Sequence, residues 1–276
     1  MLNIFTLTYN GCDLLTKLKD SLIPSLNDID YQWFIKDNAS TDNTINLISS
    51  WAETKIKLIA YKNNLQNFSE GCNLLFNESS SKDEDYILLL NNDVIFKDSN
   101  SIKNMIKIME NDLNVGVVGA RLLFTNTENL QHAGVVIDQR MKAPLHFRLN
   151  QKSDNNAIKN RMFQAVTGAV LLTKAKYYKN VCNNNKSNIK GITETYMWGF
   201  DDIDLCLAIK YNMEKKIVYY GKSNIYHEDS ASLKKMPTNR LFLNHNLNQF
   251  RTKWGKRCCF DRELYEKDSN FCLYLK

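Results

Sequence analysis

One stretch in the first third of the chain constrains the fold more than any other. Residues Tyr86–Phe96 read YILLLNNDVIF, an apolar run that stops at Asn91 and resumes at Val94. A short continuous apolar run bounded by polar residues is typical of a strand that is buried on both faces, as in a parallel sheet. Because ligands of open α/β sheets bind at the carboxyl ends of such strands, Asn91, Asn92 and Asp93 lie where a ligand is expected. The alternative is a plain polar turn, since Asn and Asp favour turns.

Hydrophobic periodicity predicts strands that alternate with helices over the first half of the chain. Alternation of this kind indicates βαβ units and a mostly parallel sheet, hence an α/β fold. In order, the predicted elements are strand Leu2–Tyr9, a helix capped by Asp13, strand Tyr31–Lys36, a helix capped by Asp42, strand Ile56–Tyr61, the polar loop Asn63–Gly71, and a helix that starts at Glu70.

The second half has a less regular pattern. A glycine at position 168 lies inside one predicted strand, where glycine often marks a bulge or the close approach of a ligand. The predicted elements are a helix over Ile102–Met109, strands Val115–Ala120, Leu122–Phe124 and Val135–Asp138, the polar loop Met141–Arg161, strand Gln164–Thr173, helices Lys174–Asn180 and Asp201–Tyr211, strands Lys216–Tyr220 and Asn224–His227, and a terminal helix Pro237–Trp254.

Bulk composition narrows the class of protein only slightly. The 276 residues suffice for one large domain or two small ones, and the net charge of +6 suits anionic small molecules, a membrane surface or nucleic acid without selecting one. The seven cysteines include no CxxC pair, so we expect neither a disulfide framework nor a zinc site, and we expect a reducing cytosol. The sequence predicts no signal peptide and no membrane-spanning segment.

Polar residues follow three of the predicted strands. Asn10 follows the first strand, Asp37 the second, and Asn91–Asp93 the central one. The carboxyl ends of parallel strands share an edge of the sheet, so these side chains are expected to line one pocket. Asp37 could accept hydrogen bonds from a nucleotide base or ribose, or it could cap the next helix, although Asp42 is the better cap. No GxGxxG or GxxxxGK[ST] loop is present, so a diphosphate bound here would need a metal, and Asp93 is its expected ligand.

A second group of carboxylates opens the helix predicted from Asp201. Asp201, Asp202 and Asp204 lie within its first turn, where one carboxylate could act as a general base towards a hydroxyl nucleophile. The alternative is a helix N-terminus at which acidic residues are favoured by the helix dipole.

Histidines offer a further candidate ligand. His227 lies at the end of a predicted strand, as the first residue of HEDSAS, and a neutral imidazole can join carboxylates around manganese. A structural histidine at a strand end is the alternative. His132 and His146 are weaker candidates, because one lies beside Gly134 and the other in a polar loop.

The order of these segments resembles that of bacterial family 2 glycosyltransferases, which have the GT-A fold. The resemblance covers nearly the whole chain and depends on the number and order of its motifs. They are TYNG at Thr8–Gly11, KDNASTDNT at Lys36–Thr44, NLQNFSEGCN at Asn64–Asn73, LLLNNDV at Leu88–Val94, QHAGVVI at Gln131–Ile137, TGAVLLTK at Thr167–Lys174, WGFDDIDLCL at Trp198–Leu207 and YHEDSAS at Tyr226–Ser232.

The resemblance implies roles for individual residues. Asp93 takes the place of the metal-binding aspartate of the DxD motif, His227 is a second possible metal ligand, and Asp202 takes the place of the base in the ED motif. Two positions depart from the family pattern, because Asn91 stands for the first acid of DxD and Asp201 for the glutamate of ED. The residues implied to contact the nucleotide are Thr8, Tyr9, Asn10, Asp37, Asn38, Ser40, Asn67, Gly71, Asn73, Asn91 and Asn92, and those implied to contact the donor or acceptor sugar are Gly168, Ala169, Trp198 and Asp201.

The resemblance also implies an activity and an organisation. The expected reaction is an inverting, Mn²⁺- or Mg²⁺-dependent transfer from a UDP-, dTDP- or GDP-sugar to a hydroxyl of a glycan or lipid-linked acceptor. O-antigen, lipopolysaccharide or capsule synthesis is the expected setting, as for rhamnosyltransferase-like enzymes. We expect a GT-A domain over residues 1–233, with a nucleotide-sugar half (1–93) and an acceptor half (94–233), followed by a C-terminal helix and tail (234–276). The expected location is cytoplasmic, with possible peripheral membrane contact through Lys234–Arg257.

Three other classes of protein remain open from the residues alone. A nucleotidyltransferase would carry a phosphate loop rich in Gly and Arg after the first strand, and TYNGC at Thr8–Cys12 contains neither Arg nor Lys. A non-catalytic nucleotide-sugar-binding module would not need Asp202. A nucleic-acid binder would fit the positive charge, but no recognised nucleic-acid-binding motif is present, so we expect no nucleic-acid partner.

Overall fold

The computed structural model describes residues 1–51, 55–60, 67–181, 191–196, 199–228 and 240–273. The strands are β1 (Leu2–Thr8), β2 (Tyr31–Asp37), β3 (Ile56–Ala60), β4 (Tyr86–Leu90), β5 (Val94–Phe96), β6 (Val115–Phe124), β7 (Leu130–His132), β8 (Val135–Asp138), β9 (Ala143–His146), β10 (Arg161–Phe163), β11 (Val170–Lys174) and β12 (Lys216–His227). The helices are α1 (Cys12–Leu22), α2 (Thr44–Ser50), α3 (Phe68–Ser79), α4 (Ser101–Asn111), α5 (Ala175–Lys179), α6 (Asp201–Met213), α7 (Arg240–Trp254) and α8 (Arg262–Lys267).

A mixed sheet of ten strands forms the centre of the described structure. Its main path runs β10-β12-β6-β11-β4-β1-β2-β3, with β5 and β7 paired at its side. Strands β3, β2, β1 and β4 are parallel, so the predicted βαβ units of the first half are confirmed. The second half adds antiparallel pairings to this sheet, because β11 runs antiparallel to both of its neighbours, β4 and β6.

Strand β4 is buried on both faces, as its unbroken apolar run predicts. Ile87 and Leu89 pack into the core beneath α3, α5 and α6, whereas Leu88 and Leu90 pack into the core beneath α1 and α4. All four side chains are at most 1% exposed. Burial of each contributes roughly 1.5–3 kcal/mol. The polar residues that follow Leu90 are therefore kept at the rim of the sheet.

Strand register brings the predicted strand ends to that one rim. Thr8 at the end of β1 pairs with Asp37 at the end of β2, and Leu90 at the end of β4 pairs with Val170 at the start of β11. Asn91 continues this last pairing, because its backbone N–H donates to the carbonyl of Ala169 at 2.9 Å. The prediction that these ends lie on one edge is confirmed.

Helix starts differ from the predictions at three places. Helix α3 begins at Phe68 rather than Glu70, because Asn67 and Glu70 form a reciprocal capping box. Asp13 lies in the first turn of α1, whose cap position is Gly11. Asp42 accepts a hydrogen bond from the backbone N–H of Thr44 at 3.0 Å, although the cap position of α2 is Asn43.

The predicted polar loop Met141–Arg161 contains two short strands. Strand β9 pairs with β8 in a separate two-stranded sheet, and β10 pairs with β12. The predicted strand Gln164–Thr173 is shorter, because β11 starts at Val170 and Gly168 lies in the turn before it. The sequence also predicts a loop over Asn183–Lys190, and this segment lies outside the described ranges.

A buried carboxylate attaches the C-terminal helix α7 to α6. Asp204 accepts hydrogen bonds from the indole Nε1 of Trp254 at 2.6 Å, the Nζ of Lys253 at 2.8 Å and the hydroxyl of Tyr196 at 3.3 Å. Its side chain has no exposed surface. In the described part of the chain, no helix combines the length and apolar character needed to cross a membrane.

We predict that Asp204→Ala lowers the free energy of unfolding by about 3 kcal/mol or more, because the buried Trp254 and Tyr196 and the exposed Lys253 then lose their acceptor. Urea titration followed by circular dichroism measures the loss. Asp112→Ala is the matched control, since Asp112 forms a partly exposed ion pair with Lys216 at 2.8 Å that is worth about 1 kcal/mol or less. Equal losses in the two variants would contradict the assigned anchoring of α7.

Candidate active site

The loops that follow β1 and β4 are joined directly at the rim of the sheet. The amide Nδ2 of Asn92 donates to the Oγ1 of Thr8 at 3.0 Å, and the backbone N–H of Asn38 donates to the carbonyl of Thr8 at 2.8 Å. A Cβ at Gly11 would lie 2.4 Å from Thr8 Oγ1 and 2.8 Å from Asn92 Nδ2. Only glycine permits this close approach, which fixes the floor of the predicted nucleotide site.

The loops after β1 and β2 hold each other through side chains. Asn10 accepts from the backbone N–H of Thr41 at 2.8 Å and donates its own N–H to the hydroxyl of Ser40 at the same distance. Asp37 is fully buried and accepts from the backbone N–H of Ser40 at 2.8 Å. Asp37 therefore has hydrogen-bond partners within its own turn, and its contact with a nucleoside stays a prediction. Tyr9 is half-buried beside this turn.

Three residues implied to contact the nucleotide lie at or on α3 and have structural partners. Asn67 caps the helix, and Gly71 packs so closely on Leu7 that a Cβ would lie 2.7 Å from that side chain. Asn73 is buried and holds both the N–H and the carbonyl of Ile192 at 2.8 Å. These contacts brace the segment around Ile192 against α3, and a role in nucleotide binding stays a prediction for all three.

Asp93 and His227 meet at the rim. Asp93 is 6% exposed, and its Oδ1 lies 2.9 Å from the Nε2 of His227. That buried oxygen has no hydrogen-bond partner among the described residues. The amide Nδ2 of Asn91 lies 3.3 Å from the same Nε2, and an NH₂ group can only donate, so Nε2 carries a lone pair. Two lone pairs thus face each other, an arrangement that a divalent cation would stabilise.

The protein supplies only part of a coordination shell at this position. Within the described ranges, no group of three or more His, Cys, Asp and Glu side chains could hold a metal ion. A six-coordinate Mn²⁺ or Mg²⁺ bound by Asp93 and His227 would take its other ligands from water or phosphate oxygens, which is the usual way in which such ions are shared with nucleotides. The residues present therefore fit a metal that binds together with a diphosphate.

Asp202 lies in the first turn of α6 and remains half-exposed. Its Oδ2 accepts the backbone N–H of Gly168 at 2.7 Å, and its Oδ1 accepts that of Ile203 at 2.8 Å. A Cβ at Gly168 would lie 2.9 Å from the Cβ of Asp202, so glycine allows the carboxylate to approach the turn before β11. The carboxylate is thereby held in place while keeping surface for a proton donor.

A continuous set of contacts links the Asp93–His227 pair to the carboxylate of Asp202. Asn91 contacts His227 on one side and bonds to the carbonyl of Ala169 on the other, and Gly168 next to Ala169 bonds to Asp202. Ala169 is 4% exposed, so its backbone rather than its side chain contributes to the rim. Trp198, which the resemblance places at the sugar, lies outside the described residues.

The neighbouring Asp201 is chemically unlike Asp202. Asp201 is 2% exposed, and burial raises its pKa to about 7, against the opposing effect of a hydrogen bond with the Ser69 hydroxyl. Its Oδ2 also accepts the backbone N–H of Gly199 at 3.2 Å. A carboxyl group that is partly protonated near neutral pH thus lies beside the half-exposed carboxylate of Asp202.

Three residues at the site carried little or no weight in the sequence analysis. The Nδ1 atoms of His132 and His146 lie 2.9 Å apart, and the Nε2 of His132 lies 3.3 Å from the backbone N of Thr167. Burial lowers the pKa of His132 well below its usual range, and His146 interacts electrostatically with Asp202. The Oε1 of Gln131 lies 2.5 Å from the Nδ1 of His227. The sequence signal for these residues was the QHAG segment at Gln131–Gly134, which resembles a family motif without implying a role for any one of its side chains.

Comparison with known proteins identifies a family. Residues 3–175 match the model of the family described as Glycosyl transferase family 2, which covers more than half of the chain. A comparison with curated protein sequences finds no match.

Solved structures share the fold at low sequence identity. A mannosyltransferase, PcManGT from Pyrobaculum calidifontis in complex with GDP-Man and Mn²⁺, is 15% identical, with a TM-score of 0.59 over 84% of this chain and 58% of that one. TarS 1–349 from S. aureus is 13% identical, with a TM-score of 0.55 over 93% and 73%. GalNAc-T7 with UDP, GalNAc and Mn²⁺ is 10% identical, with a TM-score of 0.66 over 100% and 52%. The chain thus spans little more than half of two of these proteins, and the predicted GT-A α/β fold is confirmed.

We predict that Asp201→Asn becomes increasingly stable relative to the wild type as the pH rises from about 4 to about 7. Between the unfolded value of 3.8 and the folded value of about 7, the folded protein binds more protons than the unfolded chain, so wild-type stability falls with pH. The amide cannot ionise and escapes this loss, which is at most on the order of 4 kcal/mol.

Urea titrations at several pH values measure the difference. Asp154→Asn is the control, because the Arg148 guanidinium beside Asp154 lowers the pKa of that carboxyl to about 2, so its stability difference from the wild type should change with the opposite sign between about pH 2 and 4 and stay constant from about pH 4 to 7. A stability difference between Asp201→Asn and wild type that stays constant with pH would contradict a buried, partly protonated Asp201.

Proposed function

The chain belongs to glycosyl transferase family 2, and we propose that it is a glycosyltransferase that moves a sugar from a nucleotide-sugar donor to an acceptor hydroxyl with inversion at the anomeric carbon. One observation carries the proposal. The Asp93–His227 pair and the half-exposed Asp202 lie on the same rim, linked through Asn91 and the Gly168–Ala169 turn. An inverting transfer needs a leaving-group site and a base on opposite sides of one sugar, and we assign the first role to the Asp93–His227 pair and the second to Asp202.

The donor is proposed to bind over the ends of β1, β2 and β4. The loops at Asn10 and Asp37 offer hydrogen-bonding groups for a nucleoside, and GDP and UDP donors or products accompany Mn²⁺ in two structures of similar fold. Asp93 and His227 would hold Mn²⁺ or Mg²⁺, which when bound would neutralise charge on the departing nucleoside diphosphate. Asn91, which replaces an acid of the family motif, adds a neutral amide and lowers the negative charge beside the diphosphate.

Asp202 is proposed as the base. As the acceptor oxygen forms its bond to the anomeric carbon, the bond from that carbon to the diphosphate oxygen breaks, and the acceptor proton passes to Asp202. The N–H groups of Gly168 and Ile203 hold the carboxylate in one orientation during this transfer. A single base and a single displacement produce inversion. A nucleotide-sugar-binding module without catalysis would leave the accessible carboxylate of Asp202 without a task.

The acceptor is proposed to be a glycan or a lipid-linked saccharide of cell-surface polysaccharide synthesis, with the enzyme at the cytoplasmic face of a membrane. Helix α7 offers one supporting feature. Phe242 and Leu243 are exposed near its start, and Arg251 and Lys253 lie in its last turn. Exposed apolar and basic side chains on one helix suit peripheral contact with an anionic lipid surface. Residues 229–239, which precede the helix, lie outside the described ranges.

A thermal-shift screen identifies the donor. UDP-, GDP-, CMP- and dTDP-sugars are tested with Mn²⁺, and we expect one nucleotide to raise the melting temperature above the others, because a ligand that binds only the folded state stabilises it. A chain that responds to none of these nucleotides with the metal present would contradict the proposed donor class.

With the donor identified, we predict that Asp202→Asn keeps donor affinity and loses transfer. The amide preserves the shape of the side chain but cannot accept the acceptor proton, so kcat should fall by about 10²- to 10⁴-fold. Titration calorimetry measures donor binding, and release of nucleoside diphosphate in the presence of acceptor measures turnover. Asp112→Asn, at the partly exposed ion pair with Lys216, is the control. Transfer at the wild-type rate in Asp202→Asn would remove Asp202 as the base.

A further inference from the structure

Gln131 lies at an irregularity of strand β7, beside the Asp93–His227 pair. Strand β7 pairs antiparallel with β6, with Leu130 opposite Leu123 and His132 opposite Leu122. The two pairs leave Gln131 as an extra residue without a partner on β6, which is the arrangement of a β-bulge. Bulges are frequent next to active sites, where they redirect a side chain. Here Leu130 and His132 are buried, whereas Gln131 is half-buried and reaches His227 on β12.

Two contacts of His227 require the same protonation pattern of its ring. The Oε1 of Gln131 is 2.5 Å from Nδ1 and carries no hydrogen, so Nδ1 must donate. The Nδ2 of Asn91 is 3.3 Å from Nε2 and has no lone pair to offer, so Nε2 must accept. The Gln131 contact requires a hydrogen on Nδ1, the Asn91 contact requires Nε2 without one, and the two together select the neutral tautomer with hydrogen on Nδ1. Together they leave the lone pair of Nε2 at the side where Asp93 lies.

We propose that Gln131 is a positioning residue of the metal site, which holds His227 in the tautomer whose Nε2 is free to bind a cation together with Asp93. The inference rests on the proposed function, since it assumes a metal there. In metal sites generally, the second nitrogen of a ligating histidine donates to a neighbouring acceptor that sets the tautomer and ring orientation. In this chain the acceptor is the side-chain amide oxygen of Gln131 on the bulged strand β7.

The bulge also prevents a competing state. Asp93 Oδ1 and His227 Nε2 are 2.9 Å apart, which is the length of a normal hydrogen bond. If Nε2 carried the hydrogen, the two side chains would bond to each other, and a cation would first have to break that bond. By accepting from Nδ1, Gln131 makes the tautomer with hydrogen on Nε2 unfavourable. The buried Oδ1 of Asp93 then stays without a partner until a cation arrives.

Two variants separate the effect of the side-chain shape of Gln131 from the effect of its hydrogen-bond acceptor. Gln131→Met has a similar length and no strong acceptor, and Gln131→Glu keeps an acceptor oxygen at the same position. Mn²⁺ affinity of the full chain is measured by electron paramagnetic resonance of free Mn²⁺, with the donor nucleotide from the screen present at a fixed concentration. We expect Gln131→Met to weaken Mn²⁺ binding by about 10- to 100-fold and Gln131→Glu to bind at least as tightly as the wild type. Gln32→Met, at a half-buried glutamine near the start of β2 and therefore at the edge of the sheet opposite the rim, should bind as the wild type does.

Nitrogen-15 chemical shifts of the histidine rings give a readout that a purely structural role would not move. In the metal-free wild type and in Gln131→Glu, His227 should show hydrogen on Nδ1, and in Gln131→Met the population should shift towards hydrogen on Nε2. Mn²⁺ affinity within twofold of wild type in Gln131→Met, or equal weakening in Gln131→Met and Gln131→Glu, would overturn the role of Gln131 and leave the proposed function standing. A wild-type chain that binds the nucleotide but no Mn²⁺ would overturn the inference together with the metal part of the proposed function.

Discussion

The rest of the rim depends on one close contact at the end of a buried strand, where the lone pairs of a carboxylate oxygen and a histidine nitrogen face each other. Asp93 Oδ1 and His227 Nε2 lie 2.9 Å apart, and the carboxylate oxygen is buried without a hydrogen bond. An unpaired buried carboxylate oxygen destabilises a fold, so such an arrangement persists where a ligand compensates it. The surrounding groups maintain this arrangement, because Asn91 and Gln131 together select the neutral tautomer of His227, whose Nε2 has no hydrogen to donate to Asp93.

The sheet explains why these groups meet. Both faces of β4 are buried, so the strand accommodates no polar side chain between Ile87 and Leu90. The polar residues Asn91, Asn92 and Asp93 therefore lie at the rim. The parallel register of β1, β2 and β4 brings their ends to the same edge, and the antiparallel β11 carries the Gly168 turn back to it. Glycines at positions 11 and 168 then let neighbouring loops approach within distances that a Cβ would forbid. The burial and register of the strands thus determine both how the sheet packs and where the side chains of the site lie.

Local pattern was enough to predict the first half of the fold and the residues at the strand ends. The unbroken run of β4 and the alternation of strand and helix depend on neighbours in sequence, as do Asp93 and Asp202 at element termini. The resemblance added the expected pairing of Asp93 with His227, which lie 134 positions apart (227 − 93). Features that depend on distant partners were missed, including the pairing of β9 with β8 and the bulge that directs Gln131. The bond between Asp37 and Ser40 was also missed, because it depends on a tight turn that the pattern does not specify.

The measurement closest to the central claim is anomalous diffraction from a crystal of the protein grown with Mn²⁺ and a nucleoside diphosphate. The account predicts a manganese peak bonded to both Asp93 Oδ1 and His227 Nε2, with diphosphate oxygens completing its shell and Asp202 facing the opposite side of the sugar site. A fully occupied manganese peak elsewhere on the nucleotide, with Asp93 and His227 hydrogen-bonded to each other, would contradict it.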